Sequence, residues 1–272
     1  MVVFENVQKE DIKKLSSKGF CSLEPKTVYE EFRCSHEGVT LILYTSGKLV
    51  LQGQQEQVEK VAEKLRKLNI GSEIKPITFR KETGWIIGSD EALKGDTFGG
   101  LVVAAVKADD AIREKLRELG VADSKNLSDV IILPLAEKIK QIAPCEVKSL
   151  LPEEYNRECT KEGDITKLLN ILHTECARFL FPGKHMVDKY PGCAVGDVAE
   201  EKAESKYVEV AAASVLARAA ALKQLDYLSL QAGFTLPKGS THVKLALHEL
   251  QERKLEFRKF VKVHFANVKE FL

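Results

Sequence analysis

Trp85-Ile86-Ile87-Gly88-Ser89-Asp90-Glu91-Ala92-Leu93-Lys94-Gly95-Asp96 is the stretch on which the reading of this chain turns. The apolar Trp85 to Ile87 reads as a short strand entering a core, and it delivers two adjacent carboxylates, Asp90 and Glu91. A loop with Lys94 and Gly95 follows, then Phe98-Gly99-Gly100 and the strand-like run Leu101 to Val106. Ionised carboxylates beside apolar strand neighbours are costly unless a cation or hydrogen bonds compensate them. Two readings fit. One is a solvated turn at a strand end, the ordinary explanation of an isolated Asp-Glu pair. The other is a divalent-cation site, whose hard oxygen ligands suit magnesium or manganese.

The chain has 272 residues, enough for one large or two modest domains. Hydrophobic residues make up 44% and charged residues 30%, which excludes a disordered chain and indicates a soluble globular one. A net charge of +1 means that binding to a polyanion needs a local basic face rather than a global excess. Cys21, Cys34, Cys145, Cys159, Cys176 and Cys193 are scattered without a C-x-x-C pair, so a zinc site is not expected. With no leader and no long apolar run, the expectation is a cytoplasmic protein with reduced thiols and no membrane association. No obligatory protein partner is evident.

Residues 1–72 read as a unit of their own. Val7 to Leu15 has helical spacing, and Lys18-Gly19 stops it. Strand-like pieces follow at Phe20 to Leu23, Val28 to Cys34, Val39 to Tyr44 and Leu49 to Gln52, with hairpin turns at Glu37-Gly38 and Ser46-Gly47. A second helix is predicted over Gln55 to Leu68, with Val58, Val61, Ala62 and Leu65 on one stripe. The order predicts a curved antiparallel sheet backed by helices, a small α+β domain. Gly71 to Lys81, with Pro76, reads as the linker.

Residues 82–272 alternate strands and helices, predicting an α/β domain with a mixed sheet. Helices are expected over Asp109 to Leu119, Val130 to Ile142, Asp164 to Leu180, Glu209 to Gln231 and Val243 to Gln251. Pro134 starts or kinks the second of these. Strands are expected at Glu146 to Leu150 and Lys184 to Asp188, and a short extended piece at Lys202 to Tyr207. Two further acids join Asp90 and Glu91 at such positions: Asp188 after Met186-Val187, and Glu204 before the alanine-rich helix. Open α/β sheets place their sites beyond strand carboxyl ends, where converging carboxylates repel unless cations neutralise them. Two magnesium ions roughly 4 Å apart would do so and would support phosphodiester hydrolysis. On spacing alone the metal site is one possibility, and Asp188 and Glu204 taken singly are more often ordinary strand-end acids.

Five ordered motifs carry a resemblance that separates the two accounts. Gly88-Ser89-Asp90-Glu91, Gly95-Asp96-Thr97-Phe98-Gly99, Asp123-Ser124-Lys125-Asn126-Leu127-Ser128, Lys202-Ala203-Glu204-Ser205 and Ala211 to Arg218 resemble the motifs of the type 2 ribonuclease H family. Lys-Ala-Glu-Ser stands where ribonuclease HII usually has Lys-Gly-Asp, so the resemblance is closer to ribonuclease HIII. Leu236-Pro237-Lys238-Gly239 and Lys262 to Asn267 also resemble the HIII pattern. The N-terminal unit resembles, by element order, the TATA-box-binding-protein-like domain of ribonuclease HIII.

The resemblance implies an RNase H-like fold and endonucleolytic cleavage of the RNA strand of RNA/DNA hybrids, leaving 5′-phosphate and 3′-hydroxyl ends. It implies Asp90, Glu91, Asp188 and Glu204 as catalytic ligands of Mg2+ or Mn2+, two ions with substrate bound. Because strand side chains alternate faces, Glu91 is expected where its strand is already ending. Lys94 and Gly95 match the loop that reads 2′-hydroxyls, although Leu93 stands at its usual first glycine and is costly there if φ is positive. Gly100 replaces a usual proline. Lys125, Arg218 and Lys238 are expected phosphate contacts, against solvated surface charge as the bland alternative. Ser214 is expected either at the substrate or bonded back to its helix. His264 is read as structural rather than as a proton shuttle. Lys13, Lys14, Lys64, Arg66 and Lys67 give the N-terminal unit local positive charge, read as a hybrid-binding platform in preference to a stabilising appendage.

Overall fold

The computed structural model of the protein describes residues 2–8, 10–11, 19–73, 79–121 and 127–272. The chain divides into two compact units, Met1–Pro76 and Ile77–Leu272. Most of the helix predicted over Val7 to Leu15, with Lys13 and Lys14, lies outside the described residues, as do Lys125 and most of its motif.

In the first unit, β1 (Val2–Glu5), β2 (Cys21–Leu23), β3 (Glu30–His36), β4 (Val39–Tyr44), β5 (Leu49–Gln52) and β6 (Ser72–Glu73) form one antiparallel sheet in the order β2-β3-β4-β5-β1-β6. Two of these strands depart from expectation. β1 is a short apolar run without alternation, and it becomes a strand by pairing with β5, where Phe4 enters the core. β6 falls inside the segment read as linker. The Glu37-Gly38 hairpin has positive φ at both residues, as a tight two-residue turn requires.

Helix α1 (Gln55–Lys67) buries Val58, Val61, Ala62 and Leu65 against Phe4, Leu41, Leu43, Leu49 and Leu51. The alternate residues of those strands, among them Arg33, Thr40 and Val50, form the opposite sheet face. The α1 cations are not free charge. Lys64 pairs with Glu37 at 2.7 Å, Arg66 with Glu73 at 2.6 Å and Glu59 at 2.7 Å, and Lys67 with Glu63 at 2.9 Å. This corrects the expectation of a basic face there: it is a solvated, ion-paired helix surface.

In the second unit, β7 (Ile86–Ala92), β8 (Leu101–Ala108), β9 (Cys145–Leu150), β10 (Lys184–Asp188) and β11 (Val198–Glu200) form a mixed sheet in the order β11-β10-β7-β8-β9. β7-β8 and β8-β9 are antiparallel, whereas β10 runs parallel to both β7 and β11. Trp85 does not enter the core: the strand begins at Ile86, and the indole is half-exposed under the Lys107 ammonium.

Helices α2 (Asp110–Glu118), α3 (Asp129–Ile142), α4 (Pro152–Glu162), α5 (Ile165–Leu180), α6 (Val208–Ala232), α7 (Lys244–Glu252) and α8 (Ala266–Lys269) surround the sheet. Pro134 lies in the second turn of α3, so the helix starts before it. Helix α4 was not expected, yet it carries both local end signals, Pro152 at its first position and Gly163 in the left-handed conformation after its end. Lys202 to Tyr207 is not extended. Lys202 takes a left-handed conformation and Ala203–Ser205 forms a 3-10 turn.

Two cores sandwich the sheet. On one face Val102, Ala104 and Val106 meet α6. On the other, Leu101, Val103 and Ala105 meet α5 through Leu168, Leu172 and Cys176. The alanine-rich sequence of α6 lets that helix lie almost on the backbone of β7. A Cβ at Gly88 would come within 2.3 Å of the Glu209 and Val210 backbone, so only glycine fits. Among the described residues, no helix is long and apolar enough to cross a membrane.

Candidate active site

β7 does not end at Glu91, contrary to expectation. Its ladder with β8 continues through Asp90↔Ala104, Glu91↔Val103 and Ala92↔Val102. A regular strand sends consecutive side chains to opposite faces. Asp90 therefore shares the α6 face with Gly88 and hydrogen-bonds Ser214 of that helix. Glu91 points to the α5 face, where His173 waits.

Asp188 closes β10, and its Oδ1 accepts from the Ala203 amide at 2.9 Å. That bond ties the strand end to the 3-10 turn carrying Glu204, which is buried. The left-handed Lys202 makes the reversal that brings this turn back to the strand end.

The electrostatics of the adjacent pair diverge. Burial pushes the Asp90 carboxyl well above the ordinary range, the Glu91 charge raises it further, and Asp188 adds to the rise; the Glu91 amide and Ser214 only partly offset this. Burial alone would also raise Glu91, but His173 and Lys94 outweigh it and hold the carboxyl below its ordinary value. Lys94 Nζ pairs with Glu91 Oε1 and lies 5.2 Å from the centre of the Tyr190 ring.

A buried Asp90, raised by burial and by two acidic neighbours, fits a hard divalent cation beside it. Glu91 Oε2 adds a buried oxygen with no hydrogen-bond partner. Among the described residues, no group of three or more His, Cys, Asp or Glu side chains is arranged to hold a metal ion, so the fit rests on the chemistry of the acids rather than on a formed coordination sphere.

The loop after β7 is set by residues far away in sequence. Leu93 is buried with φ of 66°, the conformation for which a glycine is usual. Lys94 and the exposed Gly95 follow it. Asp96 Oδ1 accepts from the Gly239 amide at 2.6 Å, which joins this loop to the one carrying Lys238. The buried Lys262 ammonium donates to Asp96 O at 2.6 Å and Gly99 O at 3.0 Å, and burial lowers its pKa to about 7. Asn267 bonds Thr97 Oγ1 and Ser240 O. Gly100 is required by contact: a Cβ there would meet Leu150 O at 2.1 Å, and its amide donates to Gln224 Oε1 at 2.7 Å, a bond proline cannot make.

Arg218 and Lys238 meet at one acid, Asp129, which precedes them by 89 and 109 residues. Arg218 Nη2 is 2.7 Å from Asp129 Oδ1, and Lys238 Nζ pairs with Asp129 Oδ2. Both cations line a pocket of about 190 Å³ with Leu93 and Asp96. His264 is exposed and packs ring to ring with Tyr155 and Phe265. Sequence reasoning missed Ser89, Asp129, His173, His185 and Lys262. His173 alone carried a usable signal, a polar residue at helical spacing from Leu169 and Cys176 on a buried stripe.

The profile of the family described as Ribonuclease HII matches residues 87–268. A Ribonuclease HIII of Exiguobacterium sibiricum is 34% identical over 89% of this chain and 87% of its own length. The crystal structure of Bst-RNase HIII in complex with Mn2+ superposes with a TM-score of 0.63 at 27% identity, covering 99% of this chain and 97% of that one. The crystal structure of Aquifex aeolicus RNase H3 superposes with a TM-score of 0.58 at 26% identity, covering 96% and 98%. The mixed-sheet unit thus has the RNase H-like fold, and the antiparallel unit before it agrees with a TATA-box-binding-protein-like domain.

Proposed function

Because the chain belongs to the ribonuclease HIII branch of the type 2 ribonuclease H family, metal-dependent endonucleases of RNA/DNA hybrids, we propose that Asp90, Glu91, Asp188 and Glu204 are its catalytic carboxylates. They would hold Mg2+ or Mn2+, two ions with substrate bound. When bound, such ions supply an activated water and stabilise the departing 3′ oxygen, giving 5′-phosphate and 3′-hydroxyl ends.

The chain's own residues do the rest. Asp90 and Asp188 come from adjacent parallel strands on the α6 face, and Glu204 from the turn hydrogen-bonded to Asp188. Glu91 approaches around the end of β7. The loop at Lys94 and Gly95 offers backbone to successive 2′-hydroxyls, and Leu93 sets its path. Arg218 and Lys238, held side by side by Asp129, take phosphates. Lys125 is read as a further phosphate contact. Ser214 orients Asp90 rather than touching substrate. The observation that supports this reading most is the placement of Asp90, buried beside Glu91 and Asp188: burial first and the two acids next raise its carboxyl, so it is an anion only with a cation beside it.

The opposite sheet face of the N-terminal unit, not its ion-paired helix, is the surface we assign to the hybrid. Six free cysteines accord with a cytoplasmic setting. In ribonuclease HII a tyrosine usually follows the lysine-glycine pair that matches Lys238-Gly239; Ser240 has no ring to pack on a junction sugar. Continuous hybrid is therefore the preferred substrate over one ribonucleotide embedded in DNA. The test is cleavage of both substrates with Mg2+ or Mn2+, with product ends mapped. Hybrid cleavage should vanish with EDTA and leave 5′-phosphates. Cleavage that survives chelation overturns the metal mechanism, and equal kcat/KM on the two substrates overturns the substrate preference.

A further inference from the structure

Behind Glu91 lies a run of buried polar groups that the reaction as described leaves unused. Ser89 Oγ is 2.7 Å from His173 Nδ1 and 2.7 Å from His185 Nε2. All three side chains are buried. His173 Nε2 lies 3.4 Å from Glu91 Oε2, an ion-pair distance without hydrogen-bond geometry, and both atoms are buried with no hydrogen-bond partner.

Strand geometry explains the alignment. Ser89 and Glu91 are two residues apart on β7 and so share its α5 face. His173 descends from α5 and spans the pair, and His185 reaches Ser89 from β10 next door. An apolar residue in place of His173 would pack among Leu169, Leu172 and Cys176 without any polar group to satisfy. Buried polar groups are costly unless each finds a partner.

We propose that His173, Ser89 and His185 form a buried relay that positions Glu91 for divalent-ion binding. The proposal rests on the reading of Glu91 as a metal ligand. A carboxylate only accepts, so His173 carries its proton on Nε2, facing Glu91. The Ser89 hydroxyl, which donates one hydrogen bond and accepts another, bridges His173 Nδ1 and His185 Nε2. Burial, with His173 next, holds the His185 imidazole down at about 4, so it joins the relay neutral. His173 Nε2 points toward Glu91, and a small turn of the carboxyl closes the 3.4 Å gap.

The two oxygens of Glu91 therefore have different keepers. Oε2 faces the relay, a fixed buried partner. Oε1 faces Lys94, on a loop that is partly exposed and free to turn to a phosphate. Partners behind a metal ligand fix its orientation, and losing one typically costs 10–100-fold in metal affinity.

The test is Mn2+ titration by calorimetry on the full chain, with folding checked by circular dichroism. His173→Leu should weaken Mn2+ binding at least about tenfold. His173→Gln, whose amide nitrogen reaches the Nε2 position, should recover most of the loss. Ser89→Ala touches neither carboxylate and should weaken binding by a smaller factor; with His173→Gln it carries the test if His173→Leu does not fold. Nitrogen NMR of the metal-free protein should find a proton on His173 Nε2. The Nδ1–H tautomer, or unchanged Mn2+ affinity in folded His173→Leu, overturns the relay. Glu91→Gln separates the two layers. If Glu91→Gln weakens Mn2+ binding and His173→Leu does not, the relay alone fails. If Glu91→Gln leaves it unchanged, the metal reading of Glu91 fails and the relay with it.

Discussion

Asp90 and Glu91 are consecutive residues of one regular strand, and their carboxylates leave it on opposite faces, Asp90 toward Ser214 of α6 and Glu91 toward His173 of α5. Their environments differ accordingly. Asp90 sits among acids, whereas Glu91 is flanked by a lysine and an imidazole.

That asymmetry sets the expected result of removing charge. Asp90→Asn and Asp188→Asn should each lower kcat about a thousandfold or more, corresponding to the several kcal/mol a metal-held charge contributes. Hybrid binding should persist. Without metal, Asp90→Asn should melt higher than the parent, because a carboxylate raised by burial and by Glu91 is relieved. Turnover assays, anisotropy with labelled hybrid and thermal melts check the three statements; near-normal turnover in either variant removes that residue from the site.

Leu93 poses a balance of magnitudes. Its left-handed backbone costs about 1–2 kcal/mol, which glycine would recover. Its buried side chain is worth about 1.5–3 kcal/mol in transfer, and the cavity left behind adds to the loss. Leu93→Gly should therefore be less stable by about 1–2 kcal/mol in urea unfolding, even though glycine is the usual residue in this loop. A stabilised variant would mean that backbone strain outweighs packing there.

His185 gives a pH dependence with a defined sign. Its folded pKa of about 4 lies below the ordinary 6.5, so the unfolded chain binds the extra proton between those values. Stability from this group is complete above pH 6.5 and is lost as pH falls toward 4, by at most about 3 kcal/mol. His173 and Asp197 are the titratable groups facing it. Denaturant melts of the parent and His185→Phe should converge as pH falls through this window. A constant difference would assign the proton to another group.

A chain beginning at Ile77 should fold, since the second unit has its own two-sided core. Beginning later would remove Arg80, which pairs with Glu200 at 2.8 Å and bonds the Lys206 carbonyl. The shortened chain should bind hybrid more weakly and with a shallower salt dependence, having lost phosphate contacts. Equal affinity across salt concentrations would make the N-terminal unit a stabilising appendage.

Much of this protein was legible in its sequence because the signals are local. Strand alternation, the stripe on α1, the Glu37-Gly38 turn and the small side chains of α6 each follow from neighbours within a few residues. The four acids stood out because carboxylates at strand ends are chemically conspicuous, and the ordered motifs around them pointed to one family. What remained hidden depends on partners far along the chain. β1 is a strand only because β5 lies beside it, and the turn carrying Glu204 reverses through a left-handed lysine that no propensity predicts. The α1 lysines look like a basic face until Glu37, from the turn between β3 and β4, pairs with one of them. His173 meets Ser89 across 84 residues, Lys262 meets Gly99 across 163, and Lys238 meets Asp129 across 109. Sequence alone decided which groups can ionise, donate or pack. Tertiary structure decided which of them face one another, because burial and hydrogen bonding act across space, and distance along the chain says nothing about them.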